Sequence, residues 1–412
     1  MRRYVPWGLL AATVIFVVTV LWFFYPFFLL VGVNTATNVF TRVQAPVSID
    51  GADLTDKGPG SVLAATTMPE VARRLDAPDM MAARVVYRST NGDTRAGTVV
   101  SGSVFISAGS APDGGWPVVA FGHGTVGIQP ECGPSLSPVL QNLLLTVKEL
   151  IKRGYAVALP DFQGLGSEGV HPYGDSRTAG LNLIDAVRAL RHTFPDVSTR
   201  WAALGDSQGG GAAWAADEQA AKYAPELELV AAAATSPAAD ISGLVDKAVD
   251  GTLTPEQRGV MQAVVESQAR LHPDLDVDLY RSGAAAQYWG VLSECSPDSA
   301  YKRASAMKKV GPRDFTPDSP AAATRLRSAL AAWALPQQPL SAPLYVWYGG
   351  KDPFIDAEWT EAALTRACRL GGSITIGFDP DGGHNPSDAV AVLNWVADRF
   401  AGQPASDDCP DR

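Results

Sequence analysis

Short apolar runs alternate with amphipathic stretches through most of the chain, and their order predicts an α/β protein. Two runs with strand character, at 83–87 and 98–106, flank Asn91-Gly92, a strong hairpin signal. Beyond them, apolar runs of strand length alternate with stretches of helical period. Strands are expected at Val118, Tyr155, Ala202, Val230, Leu344 and Ile374, and helices at Val139, Ala179, Gln208 and Glu358. This alternation predicts a mostly parallel sheet flanked by helices.

The segment 240–340 interrupts the alternation. Leu326, Leu330 and Trp333 recur on one helical face, and a proline-rich stretch begins at Pro336. Without its N-terminal apolar stretch the chain has roughly 370 residues, more than a single core usually holds. We therefore expect an inserted helical cap here, with extra helices of the main core as the alternative. The core would then fall into two parts, at 59–239 and 341–412.

Aromatic side chains of this insertion are candidates for a substrate pocket, because a cap at this point of the chain would cover the substrate. They are Tyr280, Tyr288, Trp289 and Trp333. Packing within the cap is the alternative for each of them.

The N-terminus predicts a membrane anchor. Residues 8–33 contain no charged side chain, and 26 residues of helix span about 39 Å against about 30 Å of hydrocarbon. A cleavable export signal has an apolar region of only about 7 to 15 residues, so residues 1–33 are expected to stay as a transmembrane helix, with cleavage and secretion as the alternative. Arginines at positions 2 and 3 predict that the rest of the chain, beginning with a polar linker at 34–58, lies outside the cytoplasm.

Cysteine usage and charge limit the classes of function. The four cysteines form no C-x-x-C pair, which favours two disulfides over a zinc or redox site and leaves three connectivities open. A net charge of −10, without a basic run in the exported part, argues against nucleic-acid binding and against simple electrostatic attraction to anionic lipid. No metal-ligand cluster is visible, and we expect no cofactor. Oligomeric state is not predicted.

A serine nucleophile is the main chemical hypothesis. Residues 205–209 read Gly-Asp-Ser-Gln-Gly between an apolar run at 201–204 and an alanine-rich stretch at 212–216. This pattern predicts a strand, a sharp turn and a helix, with Ser207 exposed at the apex. The motif alone decides little, because a serine hydroxyl needs a base and the base needs a carboxylate.

The candidate base is His384. In the chain order nucleophile, acid, base, only His272 and His384 lie downstream of Ser207, and His272 belongs to a charged helical stretch. His384 ends a glycine-rich loop after the strand at Ile374, where an imidazole can be presented to a substrate.

The candidate acid is Asp352. It turns out of the end of the strand at Leu344, at the carboxyl edge of the sheet. Asp240, which follows the strand at Val230, is the rival. Asp356 is interpreted as the cap of the helix at Glu358.

Two backbone N–H groups are expected to form an oxyanion hole. One belongs to Gln208, which begins the helix after the nucleophile. The other is assigned to Gly124 or Thr125, in the loop after the strand at Val118, with a plain strand-to-helix turn as the alternative. His123 is interpreted as part of this turn and not as a second base.

Four spaced motifs together resemble the secretory lipase family of α/β-hydrolases. They are Gly122-His-Gly-Thr125 followed by Cys132-Gly-Pro-Ser135, Pro160 to Gly166, His171-Pro-Tyr173, and Gly205 to Gly210. The resemblance implies the α/β-hydrolase fold, a helical cap and hydrolysis of carboxylic esters, commonly lipid esters. It also implies disulfides Cys132–Cys295 and Cys368–Cys409. Ser207, Asp352 and His384 match the family's catalytic positions.

The expected function is a serine ester hydrolase that acts on acyl esters or lipids through an acyl-enzyme. An acyltransferase or a serine peptidase would use the same residues. A catalytically inactive binding module on this fold is the alternative from another class of function.

Overall fold

The computed structural model describes residues 44–75 and 80–409. The predicted transmembrane helix at 1–33 and the first part of the linker lie outside these residues. Within them, no helix combines the length and apolarity that a membrane span needs. The later part of the linker is not free of structure, because Val47 O accepts a hydrogen bond from Thr67 N at 2.8 Å and Asp53 N donates to His192 O at 2.7 Å.

Nine strands form a single sheet in the order β1-β2-β3-β5-β4-β6-β7-β8-β9. The strands are β1 (Val62–Thr67), β2 (Met80–Thr90), β3 (Gly97–Ser107), β4 (Trp116–Gly122), β5 (Ala156–Pro160), β6 (Val197–Asp206), β7 (Glu228–Thr235), β8 (Leu344–Gly349) and β9 (Ile374–Asp379). Strands β1, β2, β3 and β5 pair antiparallel, and β5, β4, β6, β7, β8 and β9 pair parallel. The mixed, mostly parallel sheet and the hairpin at Asn91-Gly92 are confirmed.

Helices cover both faces of the sheet and fill the connections. The α-helices of the described residues are α1 (Pro69–Leu75), α2 (Leu144–Lys152), α3 (Ser176–Thr193), α4 (Gln208–Tyr223), α5 (Leu244–Asp250), α6 (Pro255–Leu271), α7 (Gly283–Leu292), α8 (Ala300–Met307), α9 (Pro320–Trp333), α10 (Ala357–Leu370) and α11 (Ala389–Phe400). The helix expected at Val139 begins later, at Leu144, after a short 3₁₀ turn.

The central strand β6 shows why helices must cover both faces of the sheet. Trp201 and Ala203 lie in the core beneath α3 and α4, whereas Ala202 and Leu204 lie in the core beneath α2 and α11. Side chains alternate between the faces of a strand, and all four are buried. The continuous apolar run is therefore the mark of a strand covered on both faces.

Five helices, α5 to α9, lie between β7 and β8, and we call them the inserted helices. They form their own buried cluster, which includes Met261, Val264, Phe315 and Leu326. The insertion therefore has a hydrophobic centre separate from the two layers of the sheet.

Two buried carboxylates of α4 hold the segment through which the chain returns from the inserted helices to β8. Asp217 accepts hydrogen bonds from the backbone N–H groups of Ser341 and Ala342, both at 2.8 Å. Glu218 accepts from those of Gln337 at 2.8 Å and Gln338 at 3.1 Å. Burial raises the pKa of Asp217 to about 8 and that of Glu218 to about 7, although these N–H donors favour the charged forms.

These carboxylates predict a stability that falls as pH rises. In the unfolded chain they titrate near pH ~4, so between about pH 4 and 8 the folded protein binds more protons than the unfolded chain, and the free energy of unfolding decreases with pH. Asp217→Asn keeps the side-chain oxygen as an acceptor and removes the charge. Between pH 5 and 9, we expect the melting temperature of this variant to fall by less than that of the parent protein, with a difference of about 3 °C or more. Circular dichroism measures both melting temperatures.

The exposed Asp113 supplies the matched control. Asp113→Asn should leave the pH profile of melting unchanged. An Asp217→Asn profile as steep as that of the parent protein would contradict the prediction.

Candidate active site

The site lies at one edge of the sheet, where four parallel strands end. Strand β4 ends at Gly122, β6 at Asp206, β8 at Gly349 and β9 at Asp379. The loops that follow these strands carry all the residues predicted to act. Parallel strands present their carboxyl ends at the same edge, which is where open α/β sheets form binding crevices.

Ser207 occupies the sharp turn between β6 and α4. Its backbone has φ 55° and ψ −115°, a conformation that non-glycine residues rarely adopt and that costs on the order of 1–3 kcal/mol. The turn is held by hydrogen bonds from Ser207 N to Thr235 O at 2.9 Å and from Ala238 N to Ser207 O at 3.0 Å. The surrounding backbone therefore fixes the strained residue.

The two glycines of the motif allow the strand and the helix to approach closely. A Cβ atom at Gly205 would lie 2.0 Å from Gly209 O, and one at Gly209 would lie 1.9 Å from Gly122 O. Each contact is with backbone, which cannot rotate away. Glycine is required here by the space between β4, β6 and α4.

Gly209→Ala is therefore expected to destabilise the protein by at least about 3 kcal/mol, at the upper end for overpacked sites, or to prevent folding. Urea unfolding followed by circular dichroism measures the effect. Gly290→Ala in α7 is the matched control, since a Cβ there meets nothing within 4 Å and alanine favours helix by about 1 kcal/mol. Equal stability of the two variants would contradict the role assigned to Gly209.

His384 and Asp352 are hydrogen-bonded to each other. The distance between His384 Nδ1 and Asp352 Oδ2 is 2.7 Å, and the Asp352 side chain is only 1% exposed. Asp352 Oδ1 accepts from the backbone N–H groups of Phe354 at 2.8 Å and Ile355 at 3.1 Å. Because a carboxylate accepts at Nδ1, the ring carries its proton there, and Nε2 is left to act as a base.

The histidine loop is held from two other sides. The Ser236 hydroxyl donates to His384 O at 2.5 Å, and the Phe354 ring lies 4.6 Å from the imidazole, centroid to centroid. Ser236 follows β7, so the loop after β9 is tied to a neighbouring strand end. These contacts restrict where the imidazole can point.

Gly124 lies beside the nucleophile. A Cβ atom built on Gly124 would lie 3.8 Å from Ser207 Cβ. The Thr125 hydroxyl and the Tyr173 hydroxyl are 2.8 Å apart. Gln208 is the first residue of α4, where backbone N–H groups have no partner within the helix. The structure thus brings the three predicted oxyanion-hole residues to the surroundings of Ser207.

Two buried histidines support these loops. His171 donates from Nδ1 to Gln163 O at 2.8 Å and accepts at Nε2 from Gln208 Nε2 at 2.7 Å. Burial lowers the pKa of His171 to about 4, so its imidazole is neutral at physiological pH. His123 is fully buried, with Nδ1 2.7 Å from Gly124 O, and burial lowers its pKa as well. Both rings fix loops at the site.

A cavity of about 760 Å³ contains Ser207 and His384 in its wall. Gly124, Thr125 and Gln208 also line it. The rest of the wall comes from the inserted helices, from the segments 126–128, 141–143 and 173–176, and from single residues of other loops. The predicted nucleophile, base and oxyanion-hole residues therefore face one space, with Asp352 directly behind the base.

The pocket prediction for the aromatic residues is corrected. Among the described residues that line this cavity, Tyr288, Trp289 and Trp333 are absent. Trp289 is buried and donates to Glu266 at 2.7 Å, and the Tyr288 hydroxyl accepts from Lys309 at 2.8 Å. Trp289 and Tyr288 belong to the hydrophobic cluster of the inserted helices, and Trp333 is buried.

The rival acids are engaged elsewhere. Asp240 accepts from Ser242 and Arg366. Asp356 stands before α10 but makes no cap hydrogen bond with its side chain, which corrects that interpretation. Its carboxylate accepts from Lys247 Nζ at 2.7 Å and Gln257 Nε2 at 2.6 Å.

A family model confirms the relationship that the four motifs indicate. The model of the family described as "Secretory lipase" matches residues 135–408. The chain belongs to the secretory lipase family.

Among its relatives, this secretory lipase family member is 28% identical to Lipase 6 of Candida albicans over 303 residues, which cover 68% of the chain and 63% of that relative. It is 26% identical to a Mycobacterium tuberculosis protein named "Probable inactive lipase" over 374 residues, covering 85% of the chain and 80% of the relative. The chain thus spans less than two thirds of Lipase 6.

Solved structures agree on the fold. Candida antarctica lipase A in its closed state has a TM-score of 0.69 at 16% identity and covers 84% of each chain. A ligand-bound form of the rice cell wall degrading esterase LipA from Xanthomonas oryzae has a TM-score of 0.60 at 20% identity, over 84% of this chain and 97% of that one. At these identities the likeness establishes the architecture alone.

In this family member the four cysteines form the two disulfides that the resemblance implied. Cys132 is bonded to Cys295, and Cys368 to Cys409. The first bond joins the segment after Thr125 to the inserted helices, and Cys295 lines the cavity.

One residue of the site was not found from the sequence. Asp206, beside the nucleophile, accepts from the Thr235 hydroxyl at 3.1 Å, and burial raises its pKa, opposed by nearby His384. The only feature of the sequence that could have identified Asp206 is its place in the serine motif at 205–209. Across the described residues, no group of three His, Cys, Asp or Glu side chains is arranged to hold a metal ion.

Proposed function

We propose that this protein is a serine carboxylic-ester hydrolase. The observation that carries the proposal is that Ser207 and His384 line one cavity while Asp352 holds His384 Nδ1 at 2.7 Å. Membership of the secretory lipase family supports lipid or other acyl esters as substrates.

The proposed reaction has two steps. Ser207 Oγ attacks the ester carbonyl carbon while His384 Nε2 takes the hydroxyl proton, and the same proton then leaves with the alcohol, which gives an acyl-enzyme. Water then attacks the acyl carbon while His384 Nε2 takes its proton, the bond from the acyl carbon to Ser207 Oγ breaks, and His384 returns the proton to Oγ, which releases the acid and restores the enzyme. The N–H groups of Gln208 and of Gly124 or Thr125 stabilise the negative oxygen at each step, each worth about 3 to 4 kcal/mol of barrier.

The inserted helices are proposed to cap this site. Helices α6 and α8 place small and apolar side chains in the cavity wall, among them Gly259, Ala263, Ala304 and Met307. Such a lining suits the acyl part of a substrate. Both disulfides and the family support an extracytoplasmic location, either anchored through residues 1–33 or released from them.

A fluorophosphonate tests the proposal, because it reacts with an activated serine. We expect labelling at Ser207, located by mass spectrometry of the tryptic peptide, together with hydrolysis of p-nitrophenyl esters. A panel from short to long acyl chains would then define the preferred ester.

One relative is named as probably inactive, so the absence of activity also has an interpretation. A folded protein that neither reacts with the fluorophosphonate nor hydrolyses any ester would indicate a binding module. Transfer of the acyl group to an added alcohol in preference to water would indicate an acyltransferase, and cleavage of the matching anilides a peptidase.

A further inference from the structure

Helix α8 stands at the rim of the cavity. Ala300, Arg303, Ala304 and Met307 line the cavity and share one face of the helix, and Ala300 and Ala304 are also exposed to solvent. Ala306 is buried among the inserted helices. The remaining side of the helix, which we call its outer face, is open to solvent, and Tyr301 there is 84% exposed.

The segment formed by α8 and the turn after it is strongly basic. Residues 299–313 contain five basic and no acidic residues, in a protein whose net charge is −10. They are Lys302 on the outer face, Lys308, Lys309 and Arg313 in the turn, and Arg303, which lines the cavity. The local charge is opposite in sign to the net charge of the protein.

These charges are not neutralised by ion pairs. In the part of the chain that the structure describes, none of the five forms one. Lys302 and Lys308 are exposed. Three acidic residues flank the segment, namely Glu294, Asp298 and Asp314. The carboxylate of Asp314 accepts hydrogen bonds from the backbone N–H groups of Gly311 and Ala284.

Exposed leucines lie close in sequence to another segment of the cavity wall. The segment 141–143 lines the cavity, and the leucines on either side of it in the chain, Leu136 and Leu145, are 52% and 79% exposed. Gln141 and Asn142 have positive φ angles of 51° and 73°, so this segment is an irregular turn. The cavity is thus bordered by this turn and by helix α8 with its exposed tyrosine.

We propose that the outer face of α8 docks the protein on an anionic lipid surface. Lysine and arginine bind lipid phosphates at such a surface, and tyrosine resides at headgroup level. Docking through α8 places the surface against the rim of the cavity that holds Ser207. The inference rests on the proposed ester hydrolysis for its purpose, but the binding itself is measured independently.

The test is vesicle co-sedimentation of the full chain. Apparent dissociation constants are measured for phosphatidylcholine vesicles and for vesicles that also contain phosphatidylglycerol, at low and high salt. The ratio of the two constants is the readout, because any contribution of the N-terminal apolar stretch is shared by both. Each basic side chain near an anionic surface is worth about a fivefold change in affinity.

We expect the parent protein to prefer anionic vesicles at low salt, and Lys302→Gln with Lys308→Gln to reduce this preference about 25-fold. The matched control is Lys57→Gln with Lys222→Gln, which changes net charge equally at exposed lysines outside the lining of the cavity. It should keep the preference.

Equal affinity of the parent for both vesicles would overturn the proposal, as would an equal loss in both double variants. Hydrolysis of soluble p-nitrophenyl acetate, measured on the same preparations, reports failure of the proposed function separately from failure of docking.

Discussion

Replacing Ser207 with alanine is expected to lower kcat for ester hydrolysis by about 10⁵- to 10⁶-fold, the loss typical of removing the nucleophile of a serine triad. The physical reason is that alanine cannot form the acyl-enzyme, so only direct attack by water remains. Steady-state hydrolysis of a p-nitrophenyl ester and a single-turnover burst both measure the effect. The burst of p-nitrophenol should disappear together with fluorophosphonate labelling.

Ser305→Ala in α8 is the matched control, since Ser305 is an exposed serine that does not line the cavity. It should retain activity within about twofold, because surface substitutions away from a site change little. A Ser207→Ala protein that is folded by circular dichroism and keeps a tenth or more of the parent activity would refute the assignment of the nucleophile.

Replacing Asp352 with asparagine is expected to lower kcat by about 10⁴-fold. The asparagine amide can donate to His384 Nδ1, which would place the ring proton on Nε2 and leave no lone pair to accept the proton of Ser207. The acceptor oxygen for Phe354 N and Ile355 N can be kept, so the loss should come from the tautomer and not from the fold.

Asp240→Asn discriminates between the two candidate acids. Asp240 accepts from Ser242 and Arg366, and its replacement should leave kcat within a few fold. Thermal melting of both variants checks that they are folded. A larger loss of kcat in Asp240→Asn than in Asp352→Asn would reverse the assignment of the acid.

Local patterns were enough for the residues whose roles are set by neighbours in the chain. Ser207 stands between a strand and a helix, and the glycines around it are required by backbone contacts of 1.9 and 2.0 Å. Asp352 and His384 each follow a strand of a parallel sheet. Because the ends of such strands meet at one edge, their proximity could be expected from order along the chain.

The cavity wall could not be predicted in the same way. An aromatic residue in an inserted helix packs inward or faces a cavity according to how that helix is rotated. Trp289 packs among the inserted helices and donates to Glu266, whereas α8 contributes alanine and methionine side chains to the cavity wall. Asp206 was missed because a carboxylate next to the nucleophile has no distinct signal until Thr235 and His384 are placed beside it.

By itself, the sequence determined the α/β architecture, the family and the three residues proposed to act, because strand order, turn chemistry and spacing are properties of the chain. Only the tertiary structure decided which side chains line the cavity, which carboxylates are buried and that the basic residues of α8 stand at its rim. These depend on the rotation and packing of the inserted helices, which are fixed by contacts between residues far apart in the chain.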